Sequence, residues 1–127
     1  MAKTTVGLEE NIAGLLCYVL GWISGIYFLV REKENKFVRF HAIQSIMVFG
    51  TITIIYIIIF IILNSVAGVF RWVPGFSFVL SILFGVFAWL LGLLSMILWI
   101  ILMAYAYQGQ RFKLPWTGNF AQKRVEQ

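Results

Sequence analysis

This chain is poor in charge, in proline and above all in cysteine. Asp, Glu, Lys and Arg make up 12% of its 127 residues against 61% hydrophobic residues, too little polar surface to cover a soluble globule of this size. The single cysteine, Cys17, lies inside an apolar run, which leaves no intrachain disulfide and no cysteine metal cluster. His41 is the only histidine and has no acidic residue three or four positions on, so neither a metal nor another cofactor is expected. With two prolines, Pro74 and Pro115, the long apolar stretches run without a breaker. No nucleophile with a base, P-loop, GxGxxG or zinc-protease motif occurs, and an enzyme is not expected. The first residues read as neither a cleavable signal nor a transit peptide, because only Lys3 precedes the first apolar segment and Glu9 and Glu10 stand at its edge.

What is present is apolar and long. A spanning helix needs about 20 mostly apolar residues to cross roughly 30 Å of hydrocarbon, and three segments qualify: 8–30, 40–67 and 76–107. The middle of the second, TITIIYIIIFIIL, is dense in β-branched residues, yet its length and lack of breakers decide for helix. Asn35 is the expected cap of this helix, with 36–40 as its interfacial first turn. The third segment would measure about 48 Å as one helix, which requires tilt, a kink or an emergent end. Splitting it in two leaves about 15 residues a piece, short of a span. Between the second and third segments, GVFRWVPG carries glycines, Pro74, Arg71 and an interface-seeking Trp72, the signature of a short surface connector. Asn64 and Arg71 read as interfacial anchors.

Charge decides the topology. The loop 31–39 and the tail 108–127 each hold four of the ten Lys and Arg residues, so they share the cytoplasmic side only if an even number of spans separates them. The expected architecture is therefore all-α: one membrane domain over 1–127, three transmembrane helices, an outside N-terminus and a cytoplasmic C-terminus. Basic residues beside apolar segments serve topology and anionic headgroups, and nucleic acid is not an expected partner. Phe112, Leu114, Trp116 and Phe120 suit a tail lying on the headgroups, with Pro115 breaking helix there; a flexible terminus competes for the last few residues.

Small residues recur at helical spacing. Gly14, Cys17, Gly21, Ser24 and Gly25 share one face of the first segment, and Gly21 and Gly25 form a GxxxG pair. Ser81, Gly85, Ala88, Gly92 and Ser95 form a second stripe on the third segment, and the two are expected to pack against each other. One polar patch stands out: His41, Gln44 and Ser45 lie at i, i+3 and i+4 near the start of the second helix, with Arg39 beside them. Such a patch is either a site for a peptide, headgroup or small solute, or an interhelical hydrogen-bond cluster that fixes packing.

The stretch GLEENIAGLLCYVLGWISGIYFLVREKENKFVRFHAIQS, with VRFHAIQS as its most specific part, resembles a family of small archaeal and bacterial membrane proteins. That family is in turn similar to the Tic-twenty subunit of the chloroplast inner-envelope import machinery and to MamF-type magnetosome membrane proteins. The tail element RFKLPWTGNFA also resembles the family's closing Leu-Pro element. The resemblance implies a multi-pass helical protein of a prokaryotic cell membrane, concerned with protein translocation or insertion, or with membrane assembly. It implies other membrane proteins, further copies of the chain or a polypeptide cargo as partners. An oligomeric solute channel and a lipid-organising scaffold are the alternatives.

Overall fold

The computed structural model describes residues 4–5, 7–112 and 117–126. Lys3, Leu114, Pro115 and Trp116, to which topological and interfacial roles were assigned above, lie outside the described residues. Five helices follow in order: α1 (Glu10–Val19), α2 (Trp22–Arg31), α3 (Lys36–Val69), α4 (Phe76–Tyr107) and α5 (Thr117–Glu126).

Two of them are long and apolar enough to cross a bilayer, α3 and α4. At 1.5 Å per residue they measure about 51 and 48 Å. Asn35 caps α3 as expected, its side chain accepting the Val38 N–H at 3.1 Å. Helix α4 runs unbroken. The 70–75 turn closes through Val73 N–H to Phe70 C=O and Phe76 N–H to Val73 C=O, with Gly75 at φ +78°.

The first segment departs from expectation. It is not one helix but two of ten residues, each about 15 Å long and unable to span. The chain turns at Leu20 and Gly21, where Gly21 adopts φ +63° and ψ −134°, a conformation open to glycine and denied to residues with a Cβ. Helix α2 then returns along α1, so the far ends of the two helices meet. Thr5 donates to the Glu32 carboxylate through its N–H at 2.6 Å and its hydroxyl at 2.8 Å, and Asn35 Nδ2 donates to Glu10 at 3.0 Å. Residues 4–5 and 7–10 consequently lie at the same end as the basic loop, not across a span from it.

This hairpin sits at one end of the α3–α4 pair. There α1 is wedged between the two long helices: Tyr18 packs on Leu102 and Ala106 of α4, while Ala13 and Cys17 pack on Phe37, Val38 and Ala42 of α3. Helix α5 closes the same end, setting Ala121 and Val125 against Phe40 and Ile43. The last residues described are thus helical and docked. Away from this cap α3 and α4 pack only on each other, with Tyr56 donating to the Ala88 C=O at 2.7 Å and the Phe60 and Phe84 rings 6.1 Å apart. Ile54, Ile57, Ile61, Phe78, Leu83 and Trp89 are each more than half exposed on that pair, an apolar surface suited to hydrocarbon.

Candidate functional site

Near its N-terminal end α3 presents His41, Gln44 and Ser45, all fully buried, toward the hairpin. His41 Nε2 lies 3.1 Å from the Gln110 carbonyl oxygen and Nδ1 lies 2.7 Å from the Tyr18 hydroxyl. A carbonyl only accepts, so Nε2 carries the proton, and in the neutral ring Nδ1 accepts from Tyr18. Gln44 Nε2 donates to the Tyr18 oxygen at 3.2 Å and to the Phe112 C=O at 2.8 Å. One continuous path therefore runs from the segment after α4, through α3, into α1 and back. The rings of Phe37, Phe40 and Tyr18 meet the imidazole edge to face at 4.6 to 5.4 Å and keep the path dry.

Ser45 does different work. Its hydroxyl lies 2.7 Å from both the Cys17 and the Gly21 carbonyl oxygens, and Ser24 Oγ lies 2.9 and 3.2 Å from the same two. Breaking a helix in an apolar medium strands backbone carbonyls, each costing several kcal/mol. Here two serine protons are shared between two carbonyls, and Ser24 Oγ also accepts the Leu20 N–H at 3.2 Å. Arg39 attends to the end of α2, donating from Nη1 to the Glu32 C=O at 2.8 Å and more weakly to the Leu29 C=O at 3.4 Å.

The packing residues divide. A Cβ on Gly14 would meet Phe37 Cε1 at 2.9 Å and Ala106 Cβ at 3.5 Å; one on Gly25 would meet the Ala42 carbonyl oxygen at 2.9 Å. Both glycines admit close approach, but chiefly to α3. The expected seam between the first and third segments does not form as drawn. Gly85 faces open space, Gly92 faces Tyr56 of α3, and the Ser81 hydroxyl bonds back to Ser77 C=O. The reason is the fold-back: two short helices cannot lay a continuous stripe along α4.

Sequence reasoning missed three residues. Tyr18 joins His41 to Gln44 and also accepts Trp99 Nε1–H at its carbonyl, 2.6 Å away. A hydroxyl-bearing ring in the middle of an apolar run, needing a partner, was the available signal for Tyr18, and an indole N–H in α4 was that for Trp99. Glu32 is fully buried and accepts the N–H groups of Thr5, Glu34 and Asn35 besides the Thr5 hydroxyl. Burial would raise its carboxyl pKa, but the N–H donors of Asn35, Thr5 and Glu34 outweigh it and hold the value below the ordinary 4.5. Nothing in its exposed-looking REKEN context distinguished Glu32 from its neighbours.

Among the described residues no group of three or more His, Cys, Asp or Glu lies together. A family model described as the magnetosome magnetite crystal formation protein family matches residues 3–121, most of the α-helical body just described. The chain belongs to that MamF/MmsF family. It is 42% identical over 123 residues to a UPF0132 membrane protein of Methanocaldococcus jannaschii, covering 97% of this chain and 94% of the relative. A second UPF0132 membrane protein of that organism is 37% identical over 93% of this chain and 71% of its own length, and one from Archaeoglobus fulgidus is 33% identical over 93% and 97%. No solved structure matches significantly. With archaeal relatives described as membrane proteins and two long apolar helices of its own, the chain is a membrane protein of an all-α family.

Proposed function

We propose that this chain is a non-enzymatic, multi-pass protein of the prokaryotic cell membrane that serves as a membrane-assembly component. In this reading α3 and α4 cross the bilayer, and the α1–α2 hairpin enters and leaves on the cytoplasmic side. Loop 31–39 and the described part of the tail, with seven of the ten Lys and Arg residues, lie at that cytoplasmic end. The observation that carries the reading is the Tyr18–His41–Gln44 path. Its bonds run to the chain's own side chains and to the Gln110 and Phe112 carbonyls, which suits a device that holds one shape.

That shape is asymmetric: the cytoplasmic end carries the hairpin and α5 beside the two long helices, while the far end consists of α3 and α4 alone. Such a body occupies more area in one leaflet than in the other, which suits organising lipid or neighbouring copies in a membrane under construction. The family's description speaks of magnetite crystal formation in magnetosomes, and membrane assembly is this reading's own extension, drawn from the shape of the chain. A part in protein translocation, which likeness to Tic-twenty implies, would need partner subunits, since two crossing helices enclose no conduit.

Single cysteines on a Cys17→Ala background test the arrangement. A membrane-impermeant maleimide on intact cells is expected to label Trp72→Cys, and to reach Thr5→Cys and Glu34→Cys only after permeabilisation. Labelling of Thr5→Cys and Glu34→Cys from opposite sides would restore a third span and overturn the reading. For the function itself, solute flux in liposomes that changes with His41→Ala would replace assembly by transport.

A further inference from the structure

Between α2, α3 and α5 lies a cavity of about 430 Å³ that the Tyr18–His41–Gln44 path does not use. Leu29, Ile43, Ile46, Met47 and Phe120 line it with apolar surface, and Arg39 and Arg124 bring two guanidiniums to it. Arg39 satisfies helix carbonyls through Nη1 alone, and Arg124 rests over the Phe120 ring at 6.0 Å. Among the described residues neither guanidinium has a carboxylate partner. Two neighbouring carboxylates are otherwise engaged: Glu32 holds Thr5, Glu34 and Asn35, and Glu126 accepts from Gln122.

We propose that this cavity binds one anionic phospholipid, its phosphate between Arg39 and Arg124 and the start of an acyl chain along Ile43, Ile46 and Met47. Charge complementarity selects the head: two guanidiniums with no carboxylate partner among the described residues match a phosphodiester, and planar N–H donors grip phosphate oxygens in pairs. Apolar side chains directly beside the arginines select an amphiphile over a free anion. Position agrees, because Arg39 stands at the start of α3 where a basic residue meets headgroups. The lipid would then tie the amphipathic tail helix to the hairpin, making the docking of α5 depend on lipid charge. This inference rests on the reading that the capped end lies at the cytoplasmic headgroups.

The test titrates the full chain in uncharged detergent with dihexanoylphosphatidylglycerol, dihexanoylphosphatidylcholine and inorganic phosphate, followed by calorimetry. Saturable binding of the phosphatidylglycerol alone is expected. Arg124→Gln is expected to weaken it by roughly fivefold, as loss of one basic group near a headgroup does, while Lys123→Gln, equal in charge and outside the cavity lining, leaves it unchanged. Among the described residues Arg124 bonds no backbone group, so the variant is expected to keep its fold, and melting temperature without lipid checks that. Equal weakening by Lys123→Gln would reduce the effect to bulk electrostatics and overturn the site. So would equal binding of the choline lipid or of phosphate. Binding in detergent is blind to sidedness: success here with failed maleimide labelling removes the orientation and keeps the site, and the reverse removes the site alone.

Discussion

The Tyr18 hydroxyl gives its proton to His41 Nδ1 across 2.7 Å, joining the α1–α2 hairpin to the first long helix. Removing that hydroxyl leaves His41 Nδ1 and one Gln44 N–H facing a phenyl ring. Tyr18→Phe is expected to cost about 1 kcal/mol or somewhat more, in line with interhelical hydrogen bonds in membranes plus a stranded polar group. Thermal unfolding of the purified protein reads the loss. A double-mutant cycle with Gln44→Leu should be non-additive; strict additivity would mean that the two side chains do not act as one unit.

Two glycines of similar appearance should answer oppositely to alanine. Gly21→Ala forces a Cβ into a backbone conformation reserved for glycine and should destabilise by about 1–3 kcal/mol. Gly85→Ala meets open space on a regular helix and should be neutral, or stabilising by up to about 1 kcal/mol. Equal responses in melting temperature would mean that α1 and α2 are one continuous helix.

The two serines at the turn share a task. Either Ser24→Ala or Ser45→Ala leaves one hydroxyl to serve two carbonyls and should cost about 1 kcal/mol, the ordinary worth of one such bond. The double variant removes both hydroxyls, leaving the Gly21 carbonyl only the long Gly25 N–H bond of 3.4 Å, and its loss should exceed the sum of the single losses. Hydrogen exchange at Gly21 and Gly25 would report it, and simple additivity would remove the shared role.

Acid should release the N-terminal arm. The Glu32 carboxyl has a folded pKa below its ordinary 4.5, so the stability it confers is complete above that value and is lost as pH falls through the lower folded value. The Thr5 amide, bonded to Glu32 at 2.6 Å, should lose exchange protection below about pH 4.5. Glu32→Gln should flatten that dependence and weaken protection at neutral pH. An unchanged profile in the variant would assign the titration to another group.

Much of this was legible from residues alone. Composition and unbroken apolar length suffice for an all-α membrane chain with α3 and α4 near their observed bounds, because a helix in lipid satisfies its own backbone and its limits follow from local caps and breakers. Asn35 announced one such limit, and the spacing of His41, Gln44 and Ser45 announced a shared buried face. Their partners were not announced. Gln110 and Phe112 are backbone acceptors far along the chain, and a carbonyl has no residue type to read.

The break at Leu20 and Gly21 belongs to the tertiary structure. Locally, an apolar run with a GxxxG pair is an adequate helix, and folding it back leaves the Cys17 and Gly21 carbonyls to share the one hydroxyl of Ser24 within the hairpin. Ser45, on another helix, brings a second proton. What the residues determine by themselves is which segments avoid water. Whether such a segment crosses or returns depends also on what other elements supply, here a second hydroxyl from α3, and only the packed chain brings it within reach.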